Sequence, residues 1–143
     1  MKKIAIIFFM IVAIIACITG IYMNYKTNYY EAKRENKQYE SYYNQEFYGA
    51  EVVTIINKAI DNNLTNQVQR DNKGKYIEND TNSIKIDVKI IDNDKTYDME
   101  TLYAGGMDKF VKYYNEIMFK CTKIDYHKSS GKIKYMLIEQ ITQ

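Results

Sequence analysis

The sequence predicts an α+β protein: an N-terminal transmembrane helix extended as a stalk, then a small three- to four-stranded antiparallel sheet with helices packed on one face. Three observations carry this expectation. Residues 4–23 are twenty consecutive positions without a charge. Residues 84–90 alternate, with Ile84, Ile86, Val88 and Ile90 set against Lys85, Asp87 and Lys89, the pattern of a half-exposed antiparallel strand. Apolar residues recur at helical spacing in two further stretches, 50–61 and 99–114. The chain of 143 residues divides accordingly into an anchor over 1–25, a Tyr-rich helical stalk over 26–48 and an α+β domain over 49–143. The domain has material for one modest core and no more.

The anchor comes first. A helix over residues 4–23 would span about 30 Å, the thickness of a bilayer's hydrocarbon core. Tyr22 and Tyr25 then fall at the far interface, where amphipathic rings prefer to sit, and Lys26 ends the run. The expected partner of residues 4–23 is the lipid bilayer itself. Two alternatives compete with an uncleaved anchor. A cleaved signal peptide fits Lys2-Lys3 and the apolar run, but no small-residue cleavage site precedes a polar start. A lipoprotein fits Ile14-Ile15-Ala16-Cys17 loosely, yet the chain stays apolar through Ile18-Thr19-Gly20-Ile21-Tyr22. Lys26, Lys33, Arg34 and Lys37 complicate the orientation. The start resembles an export signal, so the expectation is a single-pass cell-membrane protein with its domain extracytoplasmic.

Residues 24–48 contain no Gly or Pro, so nothing stops a helix there. Tyr25, Tyr29, Tyr39, Tyr43 and Phe47 share a four-residue spacing, with a gap at Ala32 and Glu35-Asn36. This is an aromatic stripe along one side. It packs on the protein's own domain or near lipid head groups, or it is a face for self-assembly, a partner helix or carbohydrate.

Gly49 punctuates the chain. A helix over 50–61 follows, with Val52, Ile55, Ile56, Ala59 and Ile60 on its apolar face and Glu51 in its first turn. Asp61-Asn62-Asn63 is expected to end it. Residues 64–82 are turn-rich, with a short strand over 75–78, and the alternating strand over 83–91 comes next. Residues 92–95 read as a turn. Helical spacing over 99–114 is interrupted at Gly105-Gly106. Strands over 117–126 and 133–141, joined by the turn 127–132, close the chain as a hairpin.

Composition excludes some functions. Lys2 and Lys3 account for the whole formal charge of +2, so the domain is neutral and lacks the basic excess of a nucleic-acid binder. The local lysines of 109–134 read as solvated faces. Ile, Lys, Asn and Tyr make up close to half the chain and Pro is absent, which reads as the codon bias of an AT-rich genome. Cys17 lies in the apolar run and Cys121 in the domain, so an internal disulfide is not expected.

The catalytic candidates are few. Ile90-Ile91-Asp92-Asn93-Asp94-Lys95-Thr96 resembles the DxDxT motif of haloacid-dehalogenase-type phosphatases, in which the first Asp is nucleophile and the second acid/base. Here the preceding strand alternates, whereas that family's strand is buried on both faces. A tethered hydrolase using Asp92 and Asp94 is the remote alternative. Asp92, Asp94, Thr96, Asp98 and Glu100 could offer oxygens to a cation, but an EF-hand needs Gly and Glu where Tyr97 and Tyr103 stand. His127 is the only histidine. No catalytic, cofactor-binding or metal-binding residues are assigned, and no cofactor is expected.

A hydrophobic helix running into a stalk and a small α+β domain resembles the plan of type IV pilins and pseudopilins. The prepilin signature, a Gly before the run and a Glu at its fifth position, is missing. Tyr48-Gly49-Ala50-Glu51-Val52 through Ile55-Ile56-Asn57-Lys58-Ala59-Ile60, with Phe119-Lys120-Cys121-Thr122, is similar to N-terminally anchored proteins of low-GC Gram-positive bacteria. The resemblance implies a non-catalytic structural or assembly component, pilin-like or accessory to a surface-secretion apparatus, with protein partners or self-assembly. The alternative is a surface module that binds cell-wall glycan or a protein partner.

Overall fold

The computed structural model describes residues 2–91 and 94–142. Helix α1 (Lys2–Glu40) runs unbroken for 39 residues. Residues 2–30 are exposed all round, and the first buried positions are Ala32, Asn36 and Tyr39. Among the described residues, α1 is the one helix long and apolar enough to cross a membrane.

The stalk is shorter than the expected 26–48. Asn44 adopts a left-handed conformation (φ 57°), which Asn tolerates better than most residues. Its amide donates to the Cys121 carbonyl at 2.9 Å. The chain therefore turns onto the sheet, and residues 46–48 become strand β1 (Glu46–Tyr48) with Phe47 buried.

Helix α2 (Gly49–Thr65) buries Val52, Ile55, Ile56, Ala59 and Ile60, the apolar face its spacing predicts. It runs past Asn62 and Asn63, where an end was expected. The reason is that their side chains reach across to other segments instead of competing for the helix's own backbone groups. Asn63 Nδ2 donates to the Ile84 carbonyl at 2.7 Å, and its Oδ1 accepts from the Ile84 amide at 2.8 Å. Gly49 is buried against the end of a later helix: a Cβ there would lie 1.9 Å from the Tyr114 carbonyl oxygen.

The strand expected over 75–78 is absent, and only an isolated bridge joins Arg70 and Tyr76. The Tyr76 amide is taken by Glu100 Oε1 at 3.0 Å. Beyond the loop lie β2 (Lys85–Ile90), β3 (Lys95–Asp98), α3 (Met99–Gly105) and α4 (Met107–Tyr114). Gly106, at φ 93°, separates the two helices where the break was expected. The chain ends on β4 (Met118–Tyr126) and β5 (Ile133–Gln140), the expected antiparallel hairpin.

The fold class is α+β with an N-terminal helical stalk. The sheet has five strands in the order β1-β4-β5-β2-β3, so the expected three- to four-stranded antiparallel sheet is corrected on two points. β1 and β3 are short edge strands that residue patterning did not reveal. The β2–β5 pair is parallel, and β5 lies between its hairpin partner and β2. That neighbour is reached only through a long connection, and alternation within a strand carries no information about it.

Ile86, Val88, Ile90, Phe119, Cys121, Met136 and Ile138 point to one face and join the α2 residues, Met99 and Phe110 in a single core. The opposite face is polar and internally paired. Lys89 meets Glu139 at 3.7 Å, Tyr135 donates to Asp87 at 3.1 Å and Thr122 to Glu139 at 2.7 Å.

Candidate functional site

The region with most functional content is where α1 docks on the domain. Asn36 lies buried on the helix, and its carboxamide serves as a strand edge. Nδ2 donates to the Gly131 carbonyl at 2.8 Å, and Oδ1 accepts from the Ile133 amide at 2.9 Å. Ala32, one turn earlier, is small enough for close approach, and Tyr39 enters the core one turn later. Lys132 reaches from the hairpin turn to two carboxylates of the helix, Glu31 at 3.1 Å and Glu35 at 2.9 Å. Its hydrogen bond and charge hold Glu31 below its ordinary value. Desolvation pulls the Lys132 ammonium down, but Glu35 and Glu31 outweigh it and keep that group above its ordinary value.

Below this clamp the hairpin turn overhangs the helix. Between them is an open cleft of about 540 Å³, bounded by Tyr25, Asn28 and Tyr29 on α1 and by Thr81, Lys128 and Ser130 on the domain. The turn is held from beneath. Ser129 donates to the Asp80 carbonyl, and Ser130 donates to the Thr81 carbonyl at 2.5 Å. The buried His127 Nε2 lies 2.8 Å from the Ser83 carbonyl. A carbonyl only accepts, so Nε2 carries the proton.

The aromatic stripe is therefore divided. Tyr39 (2% exposed) and Phe47 (7%) are core residues and drop out of any partner face, while Tyr25 (69%), Tyr29 (53%) and Tyr43 (45%) remain at the surface. The gap in the stripe, at Ala32 and Asn36, is the docking contact. Reading 32, 36 and 39 as one helical face would have found it, since a small residue, a bidentate amide and an aromatic recur there at three- and four-residue spacing. Tyr43 lies past the helix end, bridged to Cys121 on the sheet.

Asparagine also has a structural role that codon bias does not explain. Besides Asn36 and Asn63, Asn79 Oδ1 accepts from the amides of Thr81, Asn82 and Ser83. Asn82 is tied to Asn62 and Asn66. The side chains of these residues shape the loop beneath the hairpin turn.

A second concavity, about 240 Å³, lies at the α3–α4 break, with Gly105 and Gly106 flanked by Leu102, Phe110 and Tyr113. Tyr113 is largely exposed.

Of the DxDxT stretch, Asp92 lies outside the described residues, and Asp94 is an exposed turn residue at φ 48°. Asp98 caps α3, accepting from the Thr101 amide at 2.8 Å and from Lys75 Nζ at 2.6 Å. Glu100 binds the Tyr76 amide. Asp98 and Glu100 are engaged in structural contacts, and among the described residues no three His, Cys, Asp or Glu side chains converge. Cys121 is buried, and burial pushes its thiol to about 11.

An α+β domain carried on a long, half-naked helix is thus the class that fold and site define. No family model, curated protein or solved structure matches the chain.

Proposed function

We propose that this chain is a non-catalytic, membrane-anchored structural or assembly component whose domain stands on the extracytoplasmic side. The observation that supports this most is the division of α1. Its first part is apolar, and nothing in the fold covers it, whereas Ala32, Asn36 and Tyr39 lock its last turns into the domain. A bare helix of some twenty apolar residues in water would carry a large hydrophobic penalty, which lipid removes. Because the helix is continuous, the anchor holds the domain close to the surface. That arrangement suits a subunit that must be presented to other subunits in the plane of a membrane.

Carbonate washing of membranes, followed by intact-mass measurement, tests the anchor. The full-length polypeptide is expected in the pellet, and a soluble or N-terminally shortened product would refute the reading. Crosslinking in membranes tests assembly. Discrete oligomers or one defined partner are expected, and a strictly monomeric protein would remove the assembly role.

A second reading is a surface module that binds cell-wall glycan. It is favoured by the aromatic concavity at Gly105–Gly106, since rings stack on sugar faces. Retention on purified wall material that Tyr113→Ala abolishes would support it, and retention unchanged in that variant would remove it.

A further inference from the structure

We propose that the cleft between α1 and the β4–β5 turn seats the headgroup of an anionic phospholipid, so that the domain rests on the bilayer as well as being tethered to it. This rests on the anchored reading above and goes beyond it by assigning a ligand to a particular site.

Height is the first argument. The apolar run ends at Met23, and α1 continues without a break to Glu40. At about 1.5 Å per residue, Tyr25 lies about 3 Å beyond the run, inside a headgroup layer about 5–8 Å thick, and Tyr29 about 9 Å beyond it, at the outer margin of that layer. The cleft opens at that level. Its two tyrosines have the amphipathic rings that favour this zone.

Rigidity is the second. The turn cannot swing away freely, because Asn36 grips Gly131 and Ile133 on either side of Lys132, and Lys132 itself grips Glu31 and Glu35. The hydroxyls of Ser129 and Ser130 tie the tip to the loop below. A cleft of about 540 Å³ is within the usual range for a small-molecule site.

Charge selects the ligand. Lys132 engages both acidic side chains on this part of the helix. Lys26 on the helix, close to the end of the apolar run, and Lys128 on the turn are exposed and make no salt bridge among the described residues. Lys26 lies 6.0 Å from the centre of the Tyr30 ring, an aromatic and not an acidic neighbour. Asp80 borders the hollow on the other side of the turn, which Lys128 also lines, with Glu78 and Asp125. Of the charged residues that line the cleft itself, Glu31 is paired with Lys132, which leaves Lys128. In this proposal Lys128, which lines the cleft, meets the lipid phosphate, and Asn28, whose carboxamide gives one hydrogen to Asn24 at 3.1 Å, donates its other to a glycerol or phosphate oxygen.

The test uses the full chain in nanodiscs of phosphatidylcholine with phosphatidylglycerol, followed by native mass spectrometry of retained lipid. Wild type is expected to retain phosphatidylglycerol over phosphatidylcholine. One lysine near an anionic surface is worth about fivefold, so Lys128→Glu should lower that preference at least fivefold. Lys112→Glu, a charge reversal on the remote helix α4, should leave it unchanged. Equal retention of the two lipids, or a preference indifferent to Lys128→Glu, overturns the proposal. So does loss of the retained lipid on adding inorganic phosphate, which would identify a free-anion site. Protein that never enters the discs would instead refute the anchored reading. Protein that enters them but shows no preference refutes the headgroup seat alone.

Discussion

The Asn36 side-chain oxygen accepts a hydrogen bond from the Ile133 amide at 2.9 Å across 97 positions of sequence, and through this pair the long N-terminal helix joins the sheet. The same carboxamide donates to Gly131. Asn36→Ala would strand the buried Ile133 amide, while the Gly131 carbonyl, on an exposed residue, can turn to water, at a cost of about 1–3 kcal/mol. Denaturant unfolding of the full chain in detergent should show that loss. A change under about 0.5 kcal/mol would mean that the docking contributes nothing to stability.

The divided stripe gives a second expectation. Tyr39→Ala removes a buried ring and should destabilise by about 3–5 kcal/mol, whereas Tyr29→Ala should stay within about 0.5 kcal/mol. Thermal melts of the two variants side by side check this, and comparable losses would contradict the placement of the two rings.

Gly49 is a matter of space. The Tyr114 carbonyl stands where a Cβ would go, and backbone cannot yield as a flexible side chain would. Gly49→Ala should therefore part the start of α2 from the end of α4 and destabilise by about 3 kcal/mol. Unfolding midpoints measure it, and a neutral substitution would show that α4 is free to shift.

The clamp at Lys132 has a pH signature. Glu31 is held below its ordinary 4.5, so its contribution is complete above that value and fades as pH falls through the lower folded one. Lys132 is held above its ordinary 10.5, so its contribution is complete below that value and fades as pH rises through the higher folded one. The Tm difference between wild type and Lys132→Met should be flat between these limits and shrink outside them. A difference independent of pH throughout would show that packing of the Lys132 stem, and not its charge, is what matters.

Burial that pushes the Cys121 thiol to about 11 should leave it inert to a maleimide at neutral pH until the domain unfolds. Mass spectrometry of labelled peptides, with and without denaturant, reads this directly. Labelling of native Cys121 would mean that the core beneath β4 opens.

Local pattern set the helices and the longer strands. Twenty uncharged residues could only be an apolar helix. The alternation of Ile84 to Ile90 could only bury one face, and the spacing from Val52 to Ile60 set which side of α2 enters the core. Gly105-Gly106 broke a helix because Gly106 takes a backbone conformation that side chains resist. These are short-range properties, fixed by periodicity and backbone sterics. Tertiary structure decided what lies between elements: that β5 runs parallel to β2, that residues 46–48 pair with β4, and that the stripe's gap is its contact. It also turned several asparagines into connectors. Asn36 and Asn63 have the same composition signature as any surface amide. Only a strand brought from far along the chain supplies the backbone donor and acceptor that give each its role. The cleft at Tyr25, Tyr29 and Lys128 arises the same way, from two segments a hundred residues apart whose proximity no local pattern encodes.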